Sequence, residues 1–116
     1  MIKAIVYTSN TGFTKKYAEM LGIETGIPVY PLEEAKGNVK KQDEIIYMGW
    51  IMAGGIKNYE KARKSYNIKA VCCVGMSAPN KKQYKEIIEK HHIKEKLFYL
   101  QGGYDNKKLK GIIKNK

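Results

Sequence analysis

Ser9, Thr11 and Thr14 set three hydroxyls around Gly12 in the segment Thr8-Ser9-Asn10-Thr11-Gly12-Phe13-Thr14. The segment follows an apolar run, Ile2 to Tyr7 (IKAIVY), and opens a stretch in which Phe13, Tyr17, Met20 and Leu21 recur at mostly helical spacing. Hydroxyls and a glycine at a helix start suit an anion. The first backbone N–H groups lack intrahelical acceptors, the helix dipole is positive there, and glycine lets the chain approach a ligand closely. Each hydroxyl adds a donor. No lysine stands in the segment, so a phosphate would be held by dipoles and hydroxyls, which suits a phosphomonoester that is bound and not transferred. The GK[ST] of a Walker loop and the GxGxxG of a dinucleotide fingerprint are both absent. The same residues would also make an ordinary capped helix start. The position directly after a first strand favours phosphate.

Such a loop needs elements to hold it. Four compact apolar runs read as buried strands: Ile2 to Tyr7, Glu44 to Met48 (EIIYM), Lys69 to Val74 (KAVCCV) and Lys96 to Leu100 (KLFYL). Near-continuous apolar runs suit a parallel sheet covered on both faces. Pro28 to Pro31 reads as an edge strand, since its prolines cannot donate to a ladder. Helical patterns lie between, over Thr11 to Leu21, Tyr59 to Tyr66, Asn80 to His91 (Ser77 or Asn80 able to cap) and Asn106 to Ile113. Leu32 to Asp43 is too short and too rich in lysine and glycine to read as a helix. Alternation of this kind implies a single α/β domain over residues 1–116, doubly wound, with ligands beyond the carboxyl ends of the strands.

Here the residues reach a family. Ser9-x-Thr11-Gly12-x-Thr14 after an apolar N-terminal strand resembles the phosphate loop of flavodoxins, [T/S]-x-T-G-x-T. The resemblance implies a five-stranded parallel sheet of order 2-1-3-4-5; the last helical pattern, stopping after Ile113, is short or truncated beside the longer final helix that the family usually carries. Glu44 to Gly55 (EIIYMGWIMAGG) resembles the third strand and first ring-facing loop of this family. That segment and LFYLQGGYDNKKLKG, from Leu97, are similar to the branch related to quinone-dependent protoporphyrinogen oxidases. What the resemblance implies is non-covalent FMN. Its phosphate would lie on Ser9, Asn10, Thr11, Gly12, Phe13 and Thr14. Its ring would lie between the loop holding Gly49, Trp50, Ile51, Met52, Ala53 and Gly54 and the loop holding Met76, Ser77 and Ala78. Trp50 is the only tryptophan and either touches the ring or packs under its loop. The Gly54-Gly55 peptide is expected to turn over on reduction. Tyr104 either covers the sheet end or approaches the site.

Other candidates carry less. His91-His92 closes a helix, where cations suit the dipole. Cys72-Cys73 lies mid-strand and reads as a small apolar pair, without disulfide or metal spacing. With no disulfide framework, no secretory signal and no apolar run near ~18 residues, the expected place is the cytoplasm, without a membrane span. No Ser-His-Asp or paired-carboxylate set suggests hydrolysis.

Charge separates the remaining readings. The 116 residues are 43% hydrophobic, against a disordered basic tail, and carry 22 Lys+Arg and 11 Asp+Glu, net +11. The first 40 residues are nearly neutral, at net +1, and the remainder holds +10. The leading expectation is an FMN electron carrier with an acidic redox partner. One lysine about 8 Å from a flavin is worth at most ~2 kcal/mol at an effective dielectric of ~20. Several would therefore make the second reduction potential less negative than in acidic flavodoxins. The alternatives are a flavin-dependent oxidase of the protoporphyrinogen type and a basic module without flavin. Nucleic acid is the weaker partner, because the lysines are spread through helices without an RNP-like aromatic pattern. A short final helix would leave an apolar patch open to self-association.

Overall fold

Alternating faces of each strand bury two separate cores, and this is what makes the apolar runs strands. Val6, Ile45, Tyr47, Val71, Cys73, Leu97 and Tyr99 face one side; Ile5, Tyr7, Ile46, Met48, Cys72, Val74 and Leu100 face the other. A strand buried on both faces has no polar alternation to show. The computed structural model describes residues 1–10, 12–52, 54–75 and 80–101. Within them the elements are β1 (Ala4–Thr8), α1 (Phe13–Thr25), β2 (Val29–Pro31), α2 (Leu32–Ala35), β3 (Glu44–Met52), β4 (Gly55–Ile56), α3 (Tyr59–Ser65), β5 (Asn67–Gly75), α4 (Lys81–His91) and β6 (Lys96–Gln101).

The sheet runs β2-β1-β3-β5-β6, all parallel, with β4 antiparallel to β3 beside that path. Counting only the parallel strands, this is the expected five-stranded order 2-1-3-4-5. The proline-flanked β2 lies at the edge, as its missing donors require. α1 covers one face with Tyr17, Ala18 and Leu21. α3 and α4 cover the other with Tyr59, Ala62 and Ile87. Each such large side chain contributes roughly 1.5–3 kcal/mol by leaving water. Leu32 to Asp43 holds one four-residue helical turn. Asn80, of the two suggested caps, holds α4: its Oδ1 accepts from the Gln83 N–H at 2.7 Å. The expected last helix, Asn106 to Ile113, lies outside the described residues.

Two expectations need correction. Gly49, Trp50, Ile51 and Met52 do not form a loop. β3 continues through them, pairs Trp50 with Val74 and turns back as a hairpin, with Ile51 opposite Ile56 and Met52 opposite Gly55. Gly49 is needed inside this strand for packing: a Cβ there would lie 2.7 Å from Ile56 Cγ2 and 2.9 Å from the Lys57 carbonyl. His91, expected as a cation suited to the helix end, is only 6% exposed and bonds the hairpin through Nε2.

Cys72 and Cys73 are fully buried on opposite faces. Burial pushes both thiols up, Cys73 to about 12, and pushes the Tyr47 hydroxyl up to about 12. These groups stay neutral when folded and ionise first in the unfolded chain. Above about pH 9 the unfolded state therefore binds fewer protons, and stability falls as pH rises, by up to ~1.4 kcal/mol per pH unit for each group. Urea denaturation should show a loss of at least about 2 kcal/mol between about pH 8 and pH 10.5, with a shallower fall in Cys73→Ala.

Candidate functional site

Three strands deliver their polar ends to one edge. Thr8 of β1 pairs with Gly49 of β3, and Trp50 of β3 pairs with Val74 of β5, one residue before that strand ends. The end of β1, the middle of β3 and the end of β5 therefore lie side by side at the carboxyl edge of the sheet. This is where ligands bind in doubly wound folds.

At the first segment, Gly12 is the N-cap of α1 with φ +96°, a left-handed conformation that strains any residue with a Cβ. The Ser9 hydroxyl accepts from the N–H groups of Gly12 at 3.2 Å and Lys15 at 3.4 Å, and keeps its own proton to donate. Asn10 is exposed, Phe13 half-buried against the α1 core, and Thr14 buried at 2% exposure. α1 thus begins at the carboxyl edge, with the Gly12 and Lys15 N–H groups gathered on the Ser9 hydroxyl. The hydroxyl-rich start and the left-handed glycine fit a phosphomonoester, and no acidic side chain stands in the first turn.

The second segment is the β3–β4 hairpin. By alternation along β3, Trp50 is on the face covered by α1, together with Met48, while Gly49 and Ile51 belong to the α3/α4 face. Trp50 is half-buried, neither sealed in the core nor extended into solvent. Met52 is exposed and Gly54 turns at φ +77°. A flat ring beside Trp50 would lie on the same face as the α1 start. Thr11, Ala53, Met76, Ser77, Ala78 and Tyr104 lie outside the described residues.

A buried hydroxyl joins the two segments. Tyr47 donates to the Lys57 carbonyl at 2.5 Å and shares a hydrogen bond with the Thr8 hydroxyl at 2.9 Å. Asn58 Nδ2 also reaches Thr8, at 3.4 Å, from a left-handed backbone at φ 61°. Across the hairpin, the Lys57 N–H donates to the Trp50 carbonyl at 2.9 Å. The sequence reading missed this network and the His91 contact below the hairpin. The available signals were a tyrosine inside a fully apolar strand and a histidine on the apolar stripe of α4 (Tyr84, Ile87, Ile88, His91).

Charge at this edge is set by lysines at helix starts. Lys15 and Lys16 in α1, and Lys81, Lys82 and Lys85 in α4, are exposed, and neither helix has an acid in its first turn. Those in the first turns work against the helix dipole by roughly 0.3–1 kcal/mol each, and together the lysines make the edge electropositive.

Among solved structures, the chain is similar to a flavodoxin from the domain Archaea, with a TM-score of 0.56 and 16% identity over 96% of this chain and 90% of that one. The fold is flavodoxin-like. No protein-family profile matches the sequence, and neither does any curated protein, so the protoporphyrinogen-oxidase branch has no support at sequence level. Among the described residues no cluster could hold a metal ion, and no helix is long and apolar enough to cross a membrane. Within the flavodoxin-like frame, Tyr47→Phe should lower stability by about 1–2 kcal/mol in urea denaturation, with unchanged far-ultraviolet circular dichroism.

Proposed function

We propose that the protein is an FMN-binding electron carrier that docks an acidic redox protein. The observation that carries this reading is the meeting of the hydroxyl-rich α1 start with the Trp50 hairpin at the carboxyl edge of a flavodoxin-like sheet. Ser9, Asn10, Thr11, Gly12, Phe13 and Thr14 would hold the phosphate through backbone N–H groups and hydroxyls. Trp50 to Gly54 and Met76 to Ala78 would flank the ring, with Trp50 as the apolar contact and Gly49 packed inside β3 behind it. Bound flavin supplies the redox chemistry; this chain's residues bind it, orient it and shield it from water.

The partner follows from charge. Exposed lysines at the starts of α1 and α4 surround the same edge. A positive rim steers an acidic protein toward the site and speeds encounter at low salt. Electrons would pass between proteins through the bound flavin.

Flavin fluorescence tests the reading. FMN should be quenched with a Kd near or below about 1 μM, and riboflavin, lacking the phosphate, should bind at least ~100-fold more weakly. Gly12→Val should weaken FMN by at least ~10-fold and leave riboflavin little changed. Equal affinity for the two flavins contradicts the phosphate assignment. No flavin binding, with steeply salt-dependent RNA binding, would replace the proposal with the nucleic-acid reading.

A further inference from the structure

His91, in the last turn of α4, reaches the hairpin from below. Its Nε2 accepts the Ile56 N–H at 2.9 Å, and its Nδ1 lies 2.8 Å from Glu60 Oε2. An amide donor at Ile56 requires a lone pair on Nε2, so the ring proton is on Nδ1 and is donated to Glu60. The bonded imidazole is therefore neutral.

Its surroundings leave little room for another arrangement. A Cβ on Gly55 would stand 2.8 Å from Nε2 and 3.0 Å from Lys90 Cδ. The Tyr59 ring lies 4.9 Å from the imidazole, centroid to centroid. From α3, Glu60 and Arg63 face the ring; Arg63 also pairs with Glu60 Oε1 at 2.5 Å and donates to the His91 carbonyl at 3.0 Å. From α4 itself come Lys90 and His92. β4 carries no titratable side chain, and the Tyr59 hydroxyl donates to Glu95 at 2.7 Å.

The geometry points to a proton-operated latch: unprotonated His91 holds the β3–β4 hairpin against α4, and protonation at Nε2 releases it. Protonation replaces the acceptor with a second donor facing the Ile56 N–H, and two donors cannot bond. Glu60 favours the imidazolium, while Arg63 and Lys90 oppose it. The released strand, β4, pairs with Ile51 and Met52 next to Trp50, so the latch would bear on the proposed ring site. That consequence rests on the FMN reading; the latch itself does not and is testable without flavin.

Trp50, the only tryptophan, is the reporter. Its emission in the flavin-free protein should pass through a one-proton transition as the solution is acidified. The transition should vanish in His91→Gln and persist in His92→Gln. In Glu60→Gln it should move to lower pH by about half a unit or more, because the carboxylate that favours the cation is gone. Should His91→Gln fail to fold, hydrogen exchange on the unmodified protein decides. The Ile56 amide should lose at least ~10-fold in protection across the transition while β1 amides keep theirs. A flat Trp50 emission, a transition unchanged in His91→Gln or Glu60→Gln, or constant Ile56 protection would overturn the latch.

Discussion

Parallel pairing of β1 and β3 with Thr8 beside Gly49 is the constraint on which the candidate site depends. It places the end of the first strand flush with the middle of β3. The polar segment before α1 and the hairpin beyond Gly49 consequently share one edge. Buried hydroxyl chemistry secures the arrangement: Tyr47 reaches both Thr8 and the Lys57 carbonyl, so the two segments are tied through one side chain. In a low-dielectric interior these bonds are costly to leave unmade, so the edge is organised by the protein itself.

The parallel strands and the three longer helices are legible in the sequence because burial on two faces leaves unbroken apolar runs, and helices leave stripes. Pro28 and Pro31 announce an edge for a covalent reason. The hairpin was harder to read. Gly49, Trp50, Ile51, Met52 and Ala53, followed by two glycines, have a loop-like composition, yet Gly49 is small because Ile56 and the Lys57 carbonyl press on it. His91 misled for a related reason. At a helix end it suggests dipole compensation, and only the tertiary contact with Ile56 reveals an acceptor. The start of α1 is legible in position, directly after the first strand and at Gly12. Which hydroxyl caps what is not, since Ser9 binds two N–H groups that sequence spacing alone does not select.

Electrostatics and architecture meet at the same edge. Lysines at the starts of α1 and α4 are unfavourable for the helices that carry them, and α1 adds Glu24 near its carboxyl end. Such an arrangement is not explained by helix stability. It concentrates positive potential where an anionic cofactor and an acidic partner would approach. The net charge of +11 therefore bears more on association than on folding.

The central claim is that the start of α1 holds the phosphate of FMN. Phosphorus-31 resonance of FMN in the presence of excess protein tests it most directly. The account predicts a displaced, slowly exchanging signal whose shift is constant from about pH 5 to pH 8, because backbone N–H groups and hydroxyls hold the dianion. A signal at the free position, titrating near pH ~6 as an unbound phosphomonoester does, would contradict it.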